Sequence, residues 1–354
     1  MALNFQTLRW LGDIEGRLEM IDQRRLPGEL VTLECRTPQQ LYDAIRTLAV
    51  RGAPAIGVAA AYGVCLGMQT APGQVEAALE HLDRTAAYLA ESRPTAVNLF
   101  WALDRMKAAA RRFVADNPGA DVRRFAEVLL AEAHAICDED KAMCKAIGEH
   151  GQRFVCEGAG LLTHCNAGAL ATAGQGTALS PMYEAHRLGR RFRVFVDETR
   201  PLLQGSRLTA WELTQAGIDA TLICDNTAAV LMQQGKVNAV ITGADRIAAN
   251  GDTANKIGTF ALSVLAVHHG VPFYIAAPSS TFDLSIARGD DIPIEQRSAD
   301  EVAGFAGCRT APDGMNVYNP AFDVTPVRNI TAFITEKGVI ERPDTDSIAR
   351  HLKG

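Results

Sequence analysis

The sequence predicts an α/β protein in which a mainly helical N-terminal domain with a small antiparallel sheet precedes a domain built on a parallel sheet. Two patterns support this class. Apolar residues repeat at helical spacing almost throughout residues 73–157, whereas short β-rich runs alternate with helical patterns after about residue 151. Such alternation is typical of βαβ units, in which helices cover both faces of a parallel sheet. We therefore expect one domain over residues 1–150 and another over residues 151–354.

Short alternating runs at the N-terminus predict the small antiparallel sheet. Residues 5–10 and 29–35 alternate between apolar and polar side chains, and a Pro-Gly turn separates them. A helix should follow from about Thr37, because threonine caps helices well and Pro38 suits the first helical position. This region is expected to be structural.

Two arginines in the N-terminal half are candidates for anion binding. The run Arg51-Gly52-Ala53 precedes an apolar helix that we expect from Val58 to Leu66, so backbone N–H groups and a guanidinium could converge on one anion. Arg93 lies in a helix-breaking loop before Pro94. For both, the residues alone leave a second interpretation open, namely a solvated arginine at a helix end.

Six β-rich runs in the second half predict the strands of the parallel sheet. They are residues 160–164, 192–197, 220–224, 237–242, 271–276 and 330–335. The carboxyl ends of parallel strands meet at one edge of a sheet, where α/β proteins bind their ligands. Polar residues that follow these runs should therefore lie close together.

Cys165, Gln204 and Asp245 follow three of the runs, and Asn255-Lys256 comes soon after. A thiol and a carboxylate at one edge permit acid/base chemistry, and an amide with a lysine suits a phosphate. Alternatives remain open at this stage. Cys165 is either a reactive thiol or a small packing residue, and Asp245 is either a general acid or a residue that caps a turn or anchors Arg246.

Composition argues against several classes of protein. The 35 basic and 41 acidic side chains give a net charge of -6, and the short basic cluster at residues 187–193 is interpreted as a solvated helix end, so no nucleic-acid partner is expected. No apolar run long enough for a membrane span and no signal peptide is visible, so we expect a cytoplasmic protein.

The eight cysteines show no C-x-x-C pair, and His268-His269 has no nearby ligand partner. No strand leads into G-x-G-x-x-G, so neither a metal nor a nucleotide cofactor is expected.

Five motifs in register resemble those of the methylthioribose-1-phosphate isomerase family. They are Arg51-Gly52-Ala53-Pro54-Ala55-Ile56-Gly57, His164-Cys165-Asn166-Ala167-Gly168, Asp197-Glu198-Thr199-Arg200-Pro201 with Gln204-Gly205, Gly243-Ala244-Asp245-Arg246, and Asn255-Lys256-Ile257-Gly258-Thr259. The resemblance covers essentially the whole chain. It implies a helical N-terminal domain joined to a Rossmann-like C-terminal domain.

The resemblance also implies an activity, the isomerisation of 5-methylthioribose 1-phosphate to 5-methylthioribulose 1-phosphate in methionine salvage. By position, Asp245 resembles the family's proton donor and Cys165 its partner. The residues that match the family's substrate-binding positions are Arg51, Gly52, Ala53, Arg93, Gln204, Asn255 and Lys256. Neither a proton-transfer route nor a hydride shift requires a metal or a nicotinamide.

Related members of the larger group provide two alternatives. One is an isomerase of ribose 1,5-bisphosphate, and the other is a non-catalytic regulatory subunit of the guanine-exchange complex for translation initiation. Regulatory subunits lack the paired thiol and carboxylate that this chain has at Cys165 and Asp245. The resemblance further implies a homodimer.

Overall fold

The computed structural model describes residues 3–94, 96–305 and 307–353. Its internal contacts divide the chain into two compact units. The helical unit contains residues 4–142 and 169–176, and the sheet unit contains Leu3 with residues 143–168 and 177–353. The predicted domain boundary near residue 150 stays a prediction.

The helical unit combines a small antiparallel sheet with a set of helices, as the sequence predicts. The strands pair in the order β1-β2-β3. The elements are β1 (Leu8–Leu11), β2 (Arg17–Ile21), β3 (Thr32–Cys35), α1 (Pro38–Arg46), α2 (Ala53–Met68), α3 (Val75–Ala90), α4 (Val97–Asp116) and α5 (Val122–Gly151), the last of which continues into the sheet unit. Helix α1 begins as expected, with Pro38 in its first turn and the Thr37 hydroxyl accepting the N–H of Gln40.

Helix α2 is the centre of the helical unit. It is apolar on all sides and buried from Ala55 onward, as expected for a helix surrounded by others. A side chain at Gly63 would meet Leu41 of α1 and Leu89 of α3, so glycine permits their close packing. The predicted start at Val58 was wrong. The helix begins at Ala53, because a proline in the first turn is tolerated and does not delay the helix.

The sheet unit is built on a seven-stranded sheet in the order β16-β15-β10-β7-β4-β5-β6. Its strands are β4 (Gly160–Thr163), β5 (Arg193–Asp197), β6 (Ala220–Ile223), β7 (Ala239–Thr242), β10 (Phe273–Ala276), β15 (Ala332–Thr335) and β16 (Gly338–Glu341). All of the pairings are parallel except that of β15 with β16. The six predicted runs supply the six parallel strands, which confirms the predicted fold class.

Further elements complete the sheet unit. The helices are α6 (Ser180–Arg187), α7 (Ala210–Gln215), α8 (Ala228–Gln233), α9 (Thr259–His269), α10 (Asp300–Ala303) and α11 (Thr345–Lys353). A four-stranded sheet contains β8 (Arg246–Ala248), β9 (Thr253–Lys256), β11 (Phe282–Asp283) and β14 (Phe322–Thr325), and a hairpin contains β12 (Gly304–Phe305) and β13 (Cys308–Arg309). Within the described ranges, none of the helices combines the length and the apolar character needed to cross a bilayer.

One buried carboxylate fixes a loop of the helical unit. Asp140 on α5 is 5% exposed, and its Oδ2 accepts the N–H of Ala173 at 2.7 Å. Burial raises the pKa of Asp140 to about 6, although hydrogen bonds from Ala173 and Gly174 oppose the rise. The folded state therefore favours the protonated carboxyl, and that stabilisation is lost as the pH rises from about 4 through about 6.

We expect Asp140→Asn to remove this pH dependence, because an amide cannot ionise. The difference in the free energy of unfolding, variant minus wild type, should be up to about 3 kcal/mol larger at about pH 8 than at about pH 4. Calorimetric melting at both pH values measures the gain. The matched control is Asp116→Asn at the exposed end of α4. If the free energy of unfolding of Asp140→Asn differs from that of the wild type by the same amount at both pH values, Asp140 does not have a raised pKa.

Candidate active site

The order of the strands reverses between β4 and β7. From β4 the sheet extends through β5 and β6 on one side and through β7, β10 and β15 on the other. In open parallel sheets, ligands bind outside the carboxyl ends of the strands at such a reversal. Cys165 comes just after β4 and Asp245 just after β7. Both proposed catalytic residues thus follow the two strands that flank the reversal.

Backbone hydrogen bonds fix the turn that contains Cys165. The thiol is half-buried, and the backbone has φ 63°, a left-handed conformation that is uncommon for residues other than glycine. The Cys165 N–H donates to Oγ1 of Thr199 at 2.8 Å, and the hydroxyl of Thr209 donates to the Cys165 carbonyl at 2.6 Å. Both peptide groups of this residue are therefore tied to the segment after β5.

A buried glutamate anchors the residues after Cys165. Glu212 on α7 is 0% exposed, accepts a short hydrogen bond from Nδ2 of Asn166 and accepts the hydroxyl of Tyr183 at 2.8 Å. A side chain at Gly168 would collide with the same carboxylate, since its Cβ would lie 2.3 Å from Oε1 of Glu212. The contacts with Glu212 therefore explain why asparagine is found at position 166 and glycine at position 168.

The loop after β5 contains Gln204, which is 7% exposed. Its Oε1 is buried without a hydrogen-bond partner in the described chain. An unpaired buried oxygen costs about 1–3 kcal/mol, which a donor on a ligand would recover. The next residue must be glycine, because a Cβ at Gly205 would lie 1.7 Å from the carbonyl oxygen of Asp197. Gln204 is therefore held in place by close backbone packing.

Asp245 is exposed, and its N–H donates to the carbonyl of Ala254 at 2.9 Å. Arg246 forms an ion pair with Asp283 at 3.5 Å. Thr242, the last residue of β7, is fully buried, and its hydroxyl oxygen has no hydrogen-bond partner among the described residues. Thr242 is a polar group at this edge that the sequence did not single out, since a threonine inside an apolar strand looks structural.

Asn255 and Lys256 end strand β9, and both are buried. Nδ2 of Asn255 donates to the hydroxyl of Thr259 at 3.0 Å. The Lys256 ammonium donates to the carbonyl of Ala321 at 2.9 Å and lies 4.5 Å from the centre of the Phe322 ring. Lys256 thus places a buried ammonium at the end of β9, and an ammonium is a group that binds phosphate oxygens.

The other predicted binding residues lie in the helical unit. Gly52 has φ 91° and is the N-cap of α2, and its Cβ would lie 2.5 Å from the backbone of Ala171. The first turns of α2 and α4 touch, because a Cβ at Gly57 would lie 2.9 Å from the carbonyl oxygen of Asn98. Two helix N-termini are thus side by side, and Arg51 and Arg93, both half-buried, precede them. This arrangement suits an anion.

His164, Asp197 and Asp225 form a polar cluster that the sequence did not single out. Their nearest donor atoms lie within 4.8 Å of one another, and among the described residues this is the group that could hold a metal ion. Every possible ligand atom of these three residues except Oδ1 of Asp197 already has a hydrogen-bond partner. His164 Nδ1 is 2.8 Å from Oδ2 of Asp197, and the two oxygens of Asp225 accept backbone N–H groups from Thr199 and Arg200.

Comparison with known proteins identifies the family. The sequence pattern of the initiation factor 2 subunit family matches residues 49–342. The chain belongs to this family.

The most similar relatives in the family include isomerases. The 5-deoxyribose 1-phosphate isomerase of Moorella thermoacetica is 57% identical over 341 residues, which cover 96% of each chain. The methylthioribose-1-phosphate isomerase of Rhodopirellula baltica is 54% identical over 355 residues, which cover 98% of each. The crystal structure of 5-methylthioribose 1-phosphate isomerase from Pyrococcus horikoshii is 41% identical, with a TM-score of 0.90 over 100% of this chain and 99% of that one. These matches confirm the resemblance inferred from the five motifs.

Proposed function

We propose that this chain is an aldose-ketose isomerase that converts 5-methylthioribose 1-phosphate to 5-methylthioribulose 1-phosphate in methionine salvage. The observation that carries the proposal is the pair of residues at the reversal of the sheet. Cys165 follows β4 and Asp245 follows β7 in a chain 54% identical to a methylthioribose-1-phosphate isomerase. Two groups able to exchange protons are what an isomerase needs there.

The chemistry of the substrate defines the roles. Its anomeric carbon carries the phosphate, so the ring cannot open to a free aldehyde and the ring oxygen must be protonated as its bond to C1 breaks. We assign that proton to Asp245. Cys165 acts at the C1/C2 edge, where hydrogen leaves C2 and arrives at C1 while the C2 hydroxyl becomes a carbonyl. Running the reaction in heavy water separates the two routes, since a proton-transfer route places deuterium at C1 and a hydride shift does not.

Asp245 must be protonated to act as an acid, and it is exposed. Burial and nearby negative charge both raise the pKa of a carboxyl. A bound sugar phosphate supplies both, because it covers the side chain and carries a dianion. The acid role therefore requires the substrate to complete the environment of Asp245.

We assign the remaining predicted residues to substrate binding. Gln204 offers a buried amide oxygen without a partner, and Asn255 and Lys256 offer an amide and an ammonium. In the helical unit the assigned residues are Arg51, Gly52, Ala53 and Arg93, which stand before two adjacent helix N-termini. Hydrogen bonds to charged groups contribute about 1.5–3 kcal/mol each.

A second candidate substrate is 5-deoxyribose 1-phosphate, because the 57% identical relative is named for that activity. The two sugars share the 1-phosphate and differ only at an uncharged 5-position. An isomerase assay with both sugars and with ribose 1,5-bisphosphate tests the proposal. We expect turnover of the methylthio sugar with the highest kcat/KM. Preference for the bisphosphate would contradict the proposal, and turnover of none would favour a non-catalytic subunit.

We further propose that the protein works as a homodimer in the cytoplasm, as the family resemblance implies. Its partner is then a second copy of the chain, and neither a nucleic acid nor a membrane is required. Size-exclusion chromatography with light scattering measures the state directly, and cell fractionation measures the location. A single species at 38.0 kDa, the mass of one chain, would contradict the dimer.

We expect Asp245→Asn to lower kcat by about 10²–10⁴ while KM stays near that of the wild type, because an amide binds like a carboxyl but donates no acidic proton. Steady-state kinetics with the preferred sugar measures both constants. Asp283→Asn, which removes the partner of Arg246, is the control for loss of charge nearby and should keep most activity. An equal loss of affinity and rate in Asp245→Asn would indicate a binding or structural role instead.

We expect Cys165→Ser to lower kcat by a similar factor, about 10²–10⁴, because a serine hydroxyl is a far weaker acid than a thiol and does not ionise near neutral pH. Cys224→Ser is a matched control, since Cys224 is an exposed thiol just after β6 in the same sheet. Both variants are assayed beside the wild type with a coupled assay for the ketose. Near-full activity of Cys165→Ser would mean that the thiol only packs.

A further inference from the structure

His164 connects three segments of the sheet unit. It directly precedes Cys165, its Nδ1 is 2.8 Å from Oδ2 of Asp197, and its Nε2 is 2.8 Å from the carbonyl oxygen of Ile257. Asp197 begins the segment that leads to Gln204, and Ile257 directly follows Lys256. One imidazole thus contacts or adjoins the segments that contain Cys165, Gln204 and Lys256.

The partners of His164 determine where its protons are. A carbonyl oxygen only accepts, so Nε2 must carry a hydrogen. At 2.8 Å from a carboxylate oxygen, Nδ1 also needs a hydrogen between the two atoms. The pair is therefore either an imidazolium with a carboxylate or a neutral imidazole with a carboxylic acid.

The surrounding charges favour the imidazolium. Besides Asp197, the charges of Asp225 and Asp323 act on the ring, and Glu198 acts on Asp197. Burial by itself would lower the pKa of His164, but the hydrogen bond and charge of Asp197, with Asp225 and the Ile257 carbonyl, outweigh it and raise the pKa. Burial raises the pKa of Asp197 to about 6, against the effect of His164, so this carboxyl is ionised at neutral pH.

The carboxylates around His164 in turn fix backbone. Asp225 accepts the N–H groups of Thr199 and Arg200 at 2.6 and 2.7 Å. Asp323 accepts those of Gly258 and Phe260 at 2.7 and 3.0 Å. Burial raises the pKa of Asp323, and these N–H groups together with His164 oppose the rise. The positive ring compensates charges that would otherwise repel one another.

His164 does not reach a substrate. Its side chain and that of Asp197 are each 1% exposed, and both ring nitrogens are already bonded to protein atoms. Asp197 Oδ1 is buried without a hydrogen-bond partner in the described residues, so the carboxylate depends on the ring for compensation. The residue can hold neighbouring segments but cannot exchange protons with a ligand.

We propose that His164 is a positioning residue, held as a doubly donating imidazolium that fixes the segments containing Cys165, Gln204 and Lys256 relative to one another. The assignment of these segments to catalysis and binding rests on the proposed function. The placement of the two protons does not.

The protonation state is tested without any assay of activity. In wild-type protein labelled with ¹⁵N-histidine, with His164→Gln identifying the His164 signals, both ring nitrogens should carry hydrogens at about pH 7. The ring should lose one of them only above the pH range in which an ordinary histidine titrates. Loss of one hydrogen near the usual pKa would overturn the proposal. So would a shift of these signals on adding Zn²⁺ or Mg²⁺ alone, because Nδ1 would then be a metal ligand.

Kinetics of two variants tests the positioning. In His164→Asn the amide nitrogen lies near the position of Nδ1, so the variant keeps the hydrogen bond to Asp197 and loses the one to Ile257. Its KM should rise, because Lys256 directly precedes Ile257.

In His164→Gln the amide nitrogen lies near the position of Nε2, so the variant keeps the hydrogen bond to Ile257 and loses the one to Asp197. Its kcat should fall, because the Asp197 carbonyl accepts the Thr199 hydroxyl, which in turn accepts the Cys165 N–H. We expect about 10–100-fold in kcat/KM for each.

His150→Asn is the matched control, because His150 makes a single 2.9 Å hydrogen bond to the carbonyl of Thr335 elsewhere in the sheet unit. It should keep wild-type kcat and KM. Less folded protein with unchanged kcat and KM in both His164 variants would overturn the positioning role. If the variants fail to fold, substitution of the other seven histidines assigns the His164 signals by elimination, and the ¹⁵N measurement then still tests the placement of the two protons. Wild-type protein that turns over no sugar 1-phosphate would contradict the proposed function instead, whatever the protons of His164 do.

Discussion

The parallel pairing of β4 with β7 is the constraint on which the candidate site depends. Strands distant in sequence become neighbours at Leu161 with Ala239 and at Leu162 with Val240. Because the two strands start connections that run to opposite sides of the sheet, their carboxyl ends are left uncovered by either connection. A thiol and a carboxylate separated by many residues are thereby placed after adjacent strands. Other strand orders would place Cys165 and Asp245 after strands that are not neighbours.

The segments that contain the candidate site residues are irregular, and buried or half-buried carboxylates hold them. Glu212 binds the Asn166 side chain, Asp225 binds two N–H groups after β5, and Asp323 binds two at the start of α9. A carboxylate accepts several hydrogen bonds at once, so one side chain can fix a whole turn. The cost is a concentration of negative charge inside the sheet unit. His164 is a buried cation among these groups, which gives this ring an importance that its position inside an apolar run conceals.

The sequence predicted the regular parts well, because β-rich runs and helical periodicity are local signals. All six parallel strands and the cap at Thr37 are in place. It failed where local signals mislead. Pro54 resembled a turn but lies in the first turn of α2. The strands β8 and β11 have only three and two residues, and β9 has the sequence Thr-Ala-Asn-Lys, which is not a β-rich run. His164 was missed for a different reason. Its role depends on Asp197 and Ile257, and no spacing along the chain shows that these three residues meet.

The conformation of Cys165 gives an independent reason to regard its side chain as functional. At φ 63° a residue with a Cβ costs roughly 1–2 kcal/mol, and glycine would avoid that cost. Hydrogen bonds through its N–H and its carbonyl hold this residue in the turn, and neither of these two bonds needs a side chain. Gly235 and Gly270, both with φ 66°, show that the chain does use glycine at comparable φ values elsewhere. A strained position that keeps a thiol, next to the firmly held His164, supports the proposal that the Cys165 thiol takes part in the reaction.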